Sequence, residues 1–344
     1  MTQQPPLQPT PAGAFRFNTT SAKIEYYDGN QWVNVASTSP DQQTGGTRGI
    51  IGGGAGNGGN FIGYINVDAT GNEVDFGDLS ATGYEGGATA SRTRWVCNMG
   101  YVAPADTNTM EYVTIATTSN STDFGDLLNA KRCTGAFGNS TRGIWAGGYP
   151  GQNTMDYITI ASTGNAKDFG DITFTGNYIA AGVNSPVRGL VAGANPGSYI
   201  NRIDYVTTAT LGNGADFGDL QGAKRMMSGN SNAVRGLWSG GRLDPSPDLT
   251  DQMDFVNIAS QGNAQDFGNL LNEQDFSAGC SSSTRAVICG GYMLPAPSVA
   301  HINTLQFVQI MHTGNAVDFG DLTASSGAGR GALMCSSNGH GGLG

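Results

Sequence analysis

The sequence is poor in charge. Of its 344 residues, 13% are Asp, Glu, Lys or Arg, against roughly 25% in ordinary soluble domains. Lys and Arg number 17 against 27 acids, a formal net charge of −10, and only four of the cations are Lys. No three basic residues are consecutive. Phosphate neutralisation needs clustered cations, so nucleic acid is not an expected partner. Long hydrophobic runs are missing too, and no membrane insertion is expected. The opening residues Met1 to Pro11 are rich in Pro and Gln, lack the apolar core of a signal peptide, and read as part of a flexible arm over residues 1–13. The three His, at 301, 312 and 340, show no zinc spacing. The five Cys, at 97, 133, 280, 289 and 335, form no close pairs. Reduced, buried thiols are expected, with Cys133, Cys280 and Cys335 in similar places of a repeat.

What the chain has is Gly, 54 residues of it, without the Gly-X-Y period of collagen. Its apolar residues sit in short β-branched and aromatic runs. One block recurs six times: Asp75-Phe76-Gly77-Asp78-Leu79, then copies beginning at Asp123, Asp168, Asp216, Asp266 and Asp318, spaced 48, 45, 48, 50 and 52 residues apart. Before each stands an Arg followed by a small or apolar run ending in Gly, at Arg48, Arg94, Arg142, Arg188, Arg235 and Arg285. Between the two lies an alternating segment such as Met155-Asp156-Tyr157-Ile158-Thr159-Ile160, which suits a pleated strand. Thr163-Gly164-Asn165 and its counterparts supply the turn into the Phe-Gly-Asp strand. With one short strand ahead of the Arg, each unit is a four-stranded meander. Such units at this period predict an all-β chain, a β-propeller of four-stranded antiparallel blades over residues 14–344.

A ring must close. Phe15 to Asn18, Lys23 to Tyr27 and Gln31 to Val35 read as a three-stranded meander with a hairpin turn at Asp28-Gly29. Val33 precedes Arg48 by 15 residues, the spacing that also separates Leu127 from Arg142. Leu333 to Ser337 matches a first strand such as Gly279 to Ser282. The expected closure is therefore a seventh blade built from both chain ends, the alternative being six blades with a separate N-terminal hairpin. On the seven-blade scheme, removing Phe15 to Val35 leaves an unpaired edge and an aggregating protein.

The Arg-x-x-x-x-Gly-Gly strand, the Tyr-bearing strand and Ile24-Glu25-Tyr26-Tyr27-Asp28-Gly29-Asn30-Gln31-Trp32 resemble the kelch family of propellers, although Phe-Gly-Asp stands where kelch repeats carry Trp. Repeats such as Met155 through Asp171 are similar to those of virion structural proteins from tailed phages of marine cyanobacteria. Phe15 to Thr20 through Asn30-Gln31-Trp32-Val33 resembles a segment of phage tail and fibre proteins. The resemblance implies a non-enzymatic virion protein, assembled in the host cytoplasm. Its partners would be other virion proteins and a host-surface glycan or protein. It would be tail- or fibre-associated, the alternatives being capsid decoration and a cellular kelch-like interaction module.

No catalytic residue, metal ligand or cofactor is expected. The Asp-Phe-Gly of protein kinases recurs here six times with no phosphate-binding loop or catalytic His-Arg-Asp. Paired Asp alone supply too few oxygens for Ca²⁺. The six Arg and the six leading Asp (75, 123, 168, 216, 266 and 318) are read as scaffold: Arg bonding to carboxylates or carbonyls between blades, Asp to turn N–H groups. His340 is placed on a surface tail. The variable segments after the Gly-Gly all emerge on one face of a meander ring, and they carry the candidate binding residues Tyr149, Arg242, Asp244, Tyr292, Met293 and Leu294.

Overall fold

The computed structural model describes residues 10–18, 23–34, 46–56, 59–179, 181–244, 248–294, 300–323 and 329–343. The chain forms two compact units, Met1–Asp41 and Gln42–Gly344. The boundary thus lies well beyond the expected end of the arm at residue 13, and residues 1–9 of that arm are outside the described residues.

In the N-terminal unit, Phe15–Asn18, Lys23–Tyr27 and Trp32–Asn34 pair only with one another. Val35 lies outside the described residues. Asp28 sets the hairpin by accepting the N–H groups of Asn30 and Gln31, both at 2.8 Å. Arg16 bridges to Glu25 at 2.6 Å and lies 4.2 Å over the Trp32 ring. Alternation places Phe15, Phe17, Ile24, Tyr26 and Val33 on the opposite face, where Phe15 and Phe17 are 67% and 61% exposed.

The larger unit is all-β, and its described residues hold six four-stranded antiparallel sheets. The third is typical: Gly135–Gly138, Arg142–Gly148, Gln152–Thr159 and Lys167–Asp171, in that order. The others begin at Ala88–Ala90, Val183–Asn184, Ser228–Ser231 and Ala278–Ser281, and the first sheet is the exception. Its first strand is Met334–Ser337 from the far end of the chain, paired to Arg48–Gly52 with Met334 opposite Gly52 and Ser337 opposite Gly49. This corrects the expected closure. The C-terminal strand does act as a first strand, but it completes the first repeat, and the N-terminal strands complete nothing in this unit. Met334–Ser337 is committed to Arg48–Gly52, so the first strand that the expected seventh blade required is already used.

Three interactions recur between neighbouring sheets. Each Arg lies over the ring of its own third strand (Tyr64, Tyr112, Tyr157, Tyr205, Phe255 and Phe307), for example at 4.4 Å for Arg48 and 5.1 Å for Arg142. That ring meets the Phe of Phe-Gly-Asp edge-on, at 5.8 Å for Tyr112–Phe124. The guanidinium reaches forward to a carbonyl of the next sheet: Arg48 to Ile115 at 2.7 Å, Arg142 to Thr208 at 3.0 Å, Arg235 to Ile310 at 3.2 Å. Five of the six Arg bond to a carbonyl in this way, while Arg285 Nη1 finds no partner among the described residues.

The second interaction covers the fourth strand, an outer edge. The Gly-Asn turn of the following repeat lies along it. Gly262 N–H donates to Phe217 O and Asn263 Oδ1 accepts from Asp219 N–H, at 2.9 and 3.1 Å. The pattern runs on from the sixth sheet to the first, where Gly71 N–H donates to Phe319 O and Asn72 accepts from Asp321 N–H. So close an approach needs Gly218, whose φ is +149° and where a Cβ would meet Gly262 O at 2.5 Å. The leading Asp side chains are exposed; that of Asp168 accepts Gly170 N–H at 3.2 Å.

The third is a buried acceptor on the third strand. Asp156 takes Leu128 N–H, Asp204 takes Thr173 N–H and Gln306 takes Leu271 N–H, each from the preceding repeat. Lys131 and Lys224 neutralise Asp156 and Asp254 at 3.2 and 3.0 Å, all four fully buried. The first sheet has Gly63 at this place, and Glu73 fills the space, accepting from Thr323 N–H and pairing with buried Arg330.

Deleting residues 1–41 is expected to leave the melting temperature of the larger unit unchanged, whereas deleting 333–344 strips Arg48–Gly52 of its inner partner and yields an aggregating, unfolded protein. Calorimetry and size-exclusion chromatography of the two truncations check this. Gly218→Ala is expected to cost more than about 2 kcal/mol in urea unfolding, from the positive φ and the blocked Cβ together.

Candidate functional site

The first strands of all six sheets line one channel, with about 860 Å³ of empty space, solvent at its opening included. One stretch of its wall is small and polar. Ser231, Ser281 and Ser337 occupy one register and relay hydrogen bonds: Asn184 N–H to Ser231 Oγ, Ser231 N–H to Ser281 Oγ, and Ser281 N–H to Ser337 Oγ, at 3.1, 3.3 and 3.3 Å.

One end of the channel is closed by the C-terminus. Gly341–Leu343 forms a 3₁₀ turn pressed against the carbonyls of Gly138, Asn184 and Asn232, where no Cβ would fit. His340 is buried beside it. Its Nε2 donates to Ala90 O at 2.7 Å, and Nδ1 accepts from Asn184 Nδ2 and Gly342 N–H, both at 3.2 Å. The surface placement expected for His340 is therefore overturned: a neutral imidazole satisfies three groups at the axis. Burial holds its pKa down, to about 4.

At the other end, six residues precede the six first strands: Glu85, Cys133, Tyr178, Met226, Phe276 and Ala332. All are left-handed, with φ from 51° to 60°. Such a conformation costs energy for non-Gly residues, and here an arc of four backbone bonds links five of the six. Cys133 N–H donates to Glu85 O, Glu85 N–H to Ala332 O, Ala332 N–H to Phe276 O, and Phe276 N–H to Met226 O. The residue before each is bridged to the segment that follows the Arg strand, as in Tyr84–Tyr101, Arg132–Tyr149 and Asp275–Tyr292. The turns between sheets and the variable segments thus meet at this mouth.

Their side chains form an aromatic circuit. Tyr149 and Tyr178 lie 6.1 Å apart, Tyr178 and Phe276 6.4 Å, Phe276 and Tyr292 5.3 Å, and Tyr292 and His301 4.9 Å. Arg132 sits between Tyr101 and Tyr149 and bridges to Glu85 at 3.2 Å and Asp106 at 3.4 Å. Arg225 lies over Tyr178 and Tyr199. Burial, with Glu85 and Asp275 nearby, raises the Tyr292 hydroxyl well above the usual phenol range. It stays protonated, able to donate.

Of the candidate residues, Tyr149 and Tyr292 join this circuit. Arg242 holds buried Asp275 at 2.7 Å. Asp244 and Leu294 are exposed outside it, Leu294 by 42%, and Met293 is half-buried in a short hairpin with Ala300. The loop tips 245–247 and 295–299 are outside the described residues. Tyr178, Phe276, Arg132, Arg225 and Glu85 were not anticipated. Their signal was present: at one register before each first strand the side chains differ from copy to copy, as the loops do.

The mouth offers stacking surfaces and hydrogen-bond donors on a backbone held by six sheets, which is the chemistry of binding. No protein-family model matches the chain, and no curated protein matches it.

Because the folded His340 refuses a proton that the unfolded chain takes up near 6.5, its contribution to stability is complete above that pH and is lost as pH falls towards 4. Glu73, Asp254 and Asp275, raised by burial, slope the opposite way, so the measurement is a difference. The fall in melting temperature from pH 7 to pH 5 is expected to be steeper in the wild type than in His340→Gln.

Proposed function

We propose that residues 42–344 are a six-bladed β-propeller that serves a phage virion as a non-enzymatic recognition module, tail- or fibre-associated, with the channel mouth as its contact surface. The sheet-to-sheet bonding that returns from the sixth sheet to the first supports six blades. The likeness of the repeats to virion proteins of tailed phages supports the setting. The observation that carries the reading is the concentration of variable side chains at the mouth. Elsewhere Arg, aromatic, Gly and Asn are committed to the same contacts in repeat after repeat. At the mouth the equivalent positions hold Glu, Cys, Tyr, Met, Phe and Ala, the variation expected of a recognition surface on a fixed scaffold. Aromatic residues with a polar tip suit a host-surface ligand or a neighbouring subunit.

The N-terminal sheet has a separate part in this scheme. Its apolar face bears Phe15, Phe17 and Ile24 in solvent, and an exposed apolar face of this kind marks an attachment surface. Another virion protein would cover it.

Purified virions are expected to contain the protein, and soluble protein added in excess to compete with particles for host cells. Tyr149→Ala with Tyr292→Ala is expected to weaken host-cell binding about tenfold or more, while Phe15→Ser with Phe17→Ser is expected to keep cell binding and lose incorporation into particles. Absence of the protein from washed virions overturns the assignment.

A further inference from the structure

Three of the five Cys converge where the sixth sheet meets the first. Cys280 lies on the first strand of the sixth sheet, Cys289 on its second strand (Arg285–Cys289), and Cys335 on the C-terminal strand. Their Sγ atoms lie within 4.8 Å of one another. The sequence conceals this, because the residues are 9 and 46 positions apart with no close pair. It also suggests the wrong equivalence. Cys280 stands opposite Val287, two residues after its Arg, whereas Cys335 stands opposite Ile51, three residues after its own. A one-residue offset puts the two thiols on opposite faces of their strands. On adjacent sheets, opposite faces look at each other. Cys133, expected in the same place, is instead the left-handed residue at the mouth.

We propose that Cys280, Cys289 and Cys335 form a tris-thiolate site for a single divalent thiophilic cation of the zinc class, clamping the C-terminal strand to the sixth sheet. Thiolate is the ligand such ions prefer, and neighbouring sulfurs of a tetrahedral site with Zn–S bonds near 2.3 Å stand about 3.8 Å apart. Small rotations of three Cys side chains bring sulfurs now within 4.8 Å to that separation. Cys335 also lines the channel, which supplies an entry path and a water for the fourth position. A divalent ion leaves the three-thiolate set with one net negative charge, where a monovalent ion leaves two in a buried seam. On binding, three S–metal bonds form, and the thiols still protonated release their protons through the channel to bulk water.

Reduced, metal-free full-length protein titrated with Co²⁺ is expected to develop the thiolate-to-cobalt charge-transfer band and tetrahedral visible bands, saturating at one equivalent and bleached by Zn²⁺. Cys335→Ser is expected to abolish both signals, and Cys133→Ser to retain them. Independently of any variant, one equivalent of Zn²⁺ is expected to raise the melting temperature of the wild-type protein, and a chelator to reverse it. No charge-transfer band, a band that survives in Cys335→Ser, or a wild-type melting temperature indifferent to Zn²⁺ would each overturn the site.

Discussion

Everything in the larger unit depends on covering the fourth strand. A four-stranded meander ends in an edge whose N–H and C=O groups point away from its own sheet, and such an edge recruits whatever strand it meets. Here the edge is covered by the next repeat's turn, through two backbone bonds and one Asn side chain, as with Phe217-Gly218-Asp219 and Gly262-Asn263-Ala264. The Gly of Phe-Gly-Asp is required by that approach. The Arg–Tyr–Phe stack sets the spacing at which the turn arrives, and the buried acceptor on the third strand takes the next N–H along. Because every sheet is both cover and covered, the last must find the first. Phe319 and Asp321 find Gly71 and Asn72.

The same dependence explains what was legible in the sequence. A contact repeated from copy to copy leaves a periodic trace, so the strands and the turns could be read without coordinates. Features made once leave no trace of that kind. Glu73 replaces an acid missing at Gly63 by reaching from a neighbouring strand, a substitution visible only in space. The N-terminal strands imitate the repeat in spacing and composition, yet spacing does not decide whether an edge is vacant. Met334–Ser337 had already taken the place. His340 looked like a tail residue because burial by a chain end has no periodic signature.

The candidate site follows a complementary rule. Positions that differ between copies at a fixed register are free of the scaffold, and the structure brings two sets of them together at the mouth. The variable loops were recognised as one set, which is how Tyr149 and Tyr292 were found. The other set, Glu85 through Ala332, was hidden by its strained backbone. A left-handed position is usually expected at Gly, Asn or Asp, and none of these six is such a residue. Backbone bonding among five of the six residues offsets the strain. The backbone is fixed by neighbours rather than by residue type, so side-chain identity is left open.

The seam between the sixth and first sheets concentrates the exceptions. Among the described residues, Arg285 Nη1 lacks the carbonyl its equivalents find, the acid that pairs with Arg330 is Glu73 rather than a third-strand Asp, and three thiols gather at the same seam. The sixth sheet runs on into Met334–Ser337, and the closure made without covalent continuity is the pairing of that strand with Arg48–Gly52 inside the first sheet. That pairing closes a loop of nearly the whole unit and carries its entropic cost. Extra non-repeated bonding belongs beside the strand that makes this closure, and a metal clamp at Cys280, Cys289 and Cys335 would fix that strand against the sixth sheet.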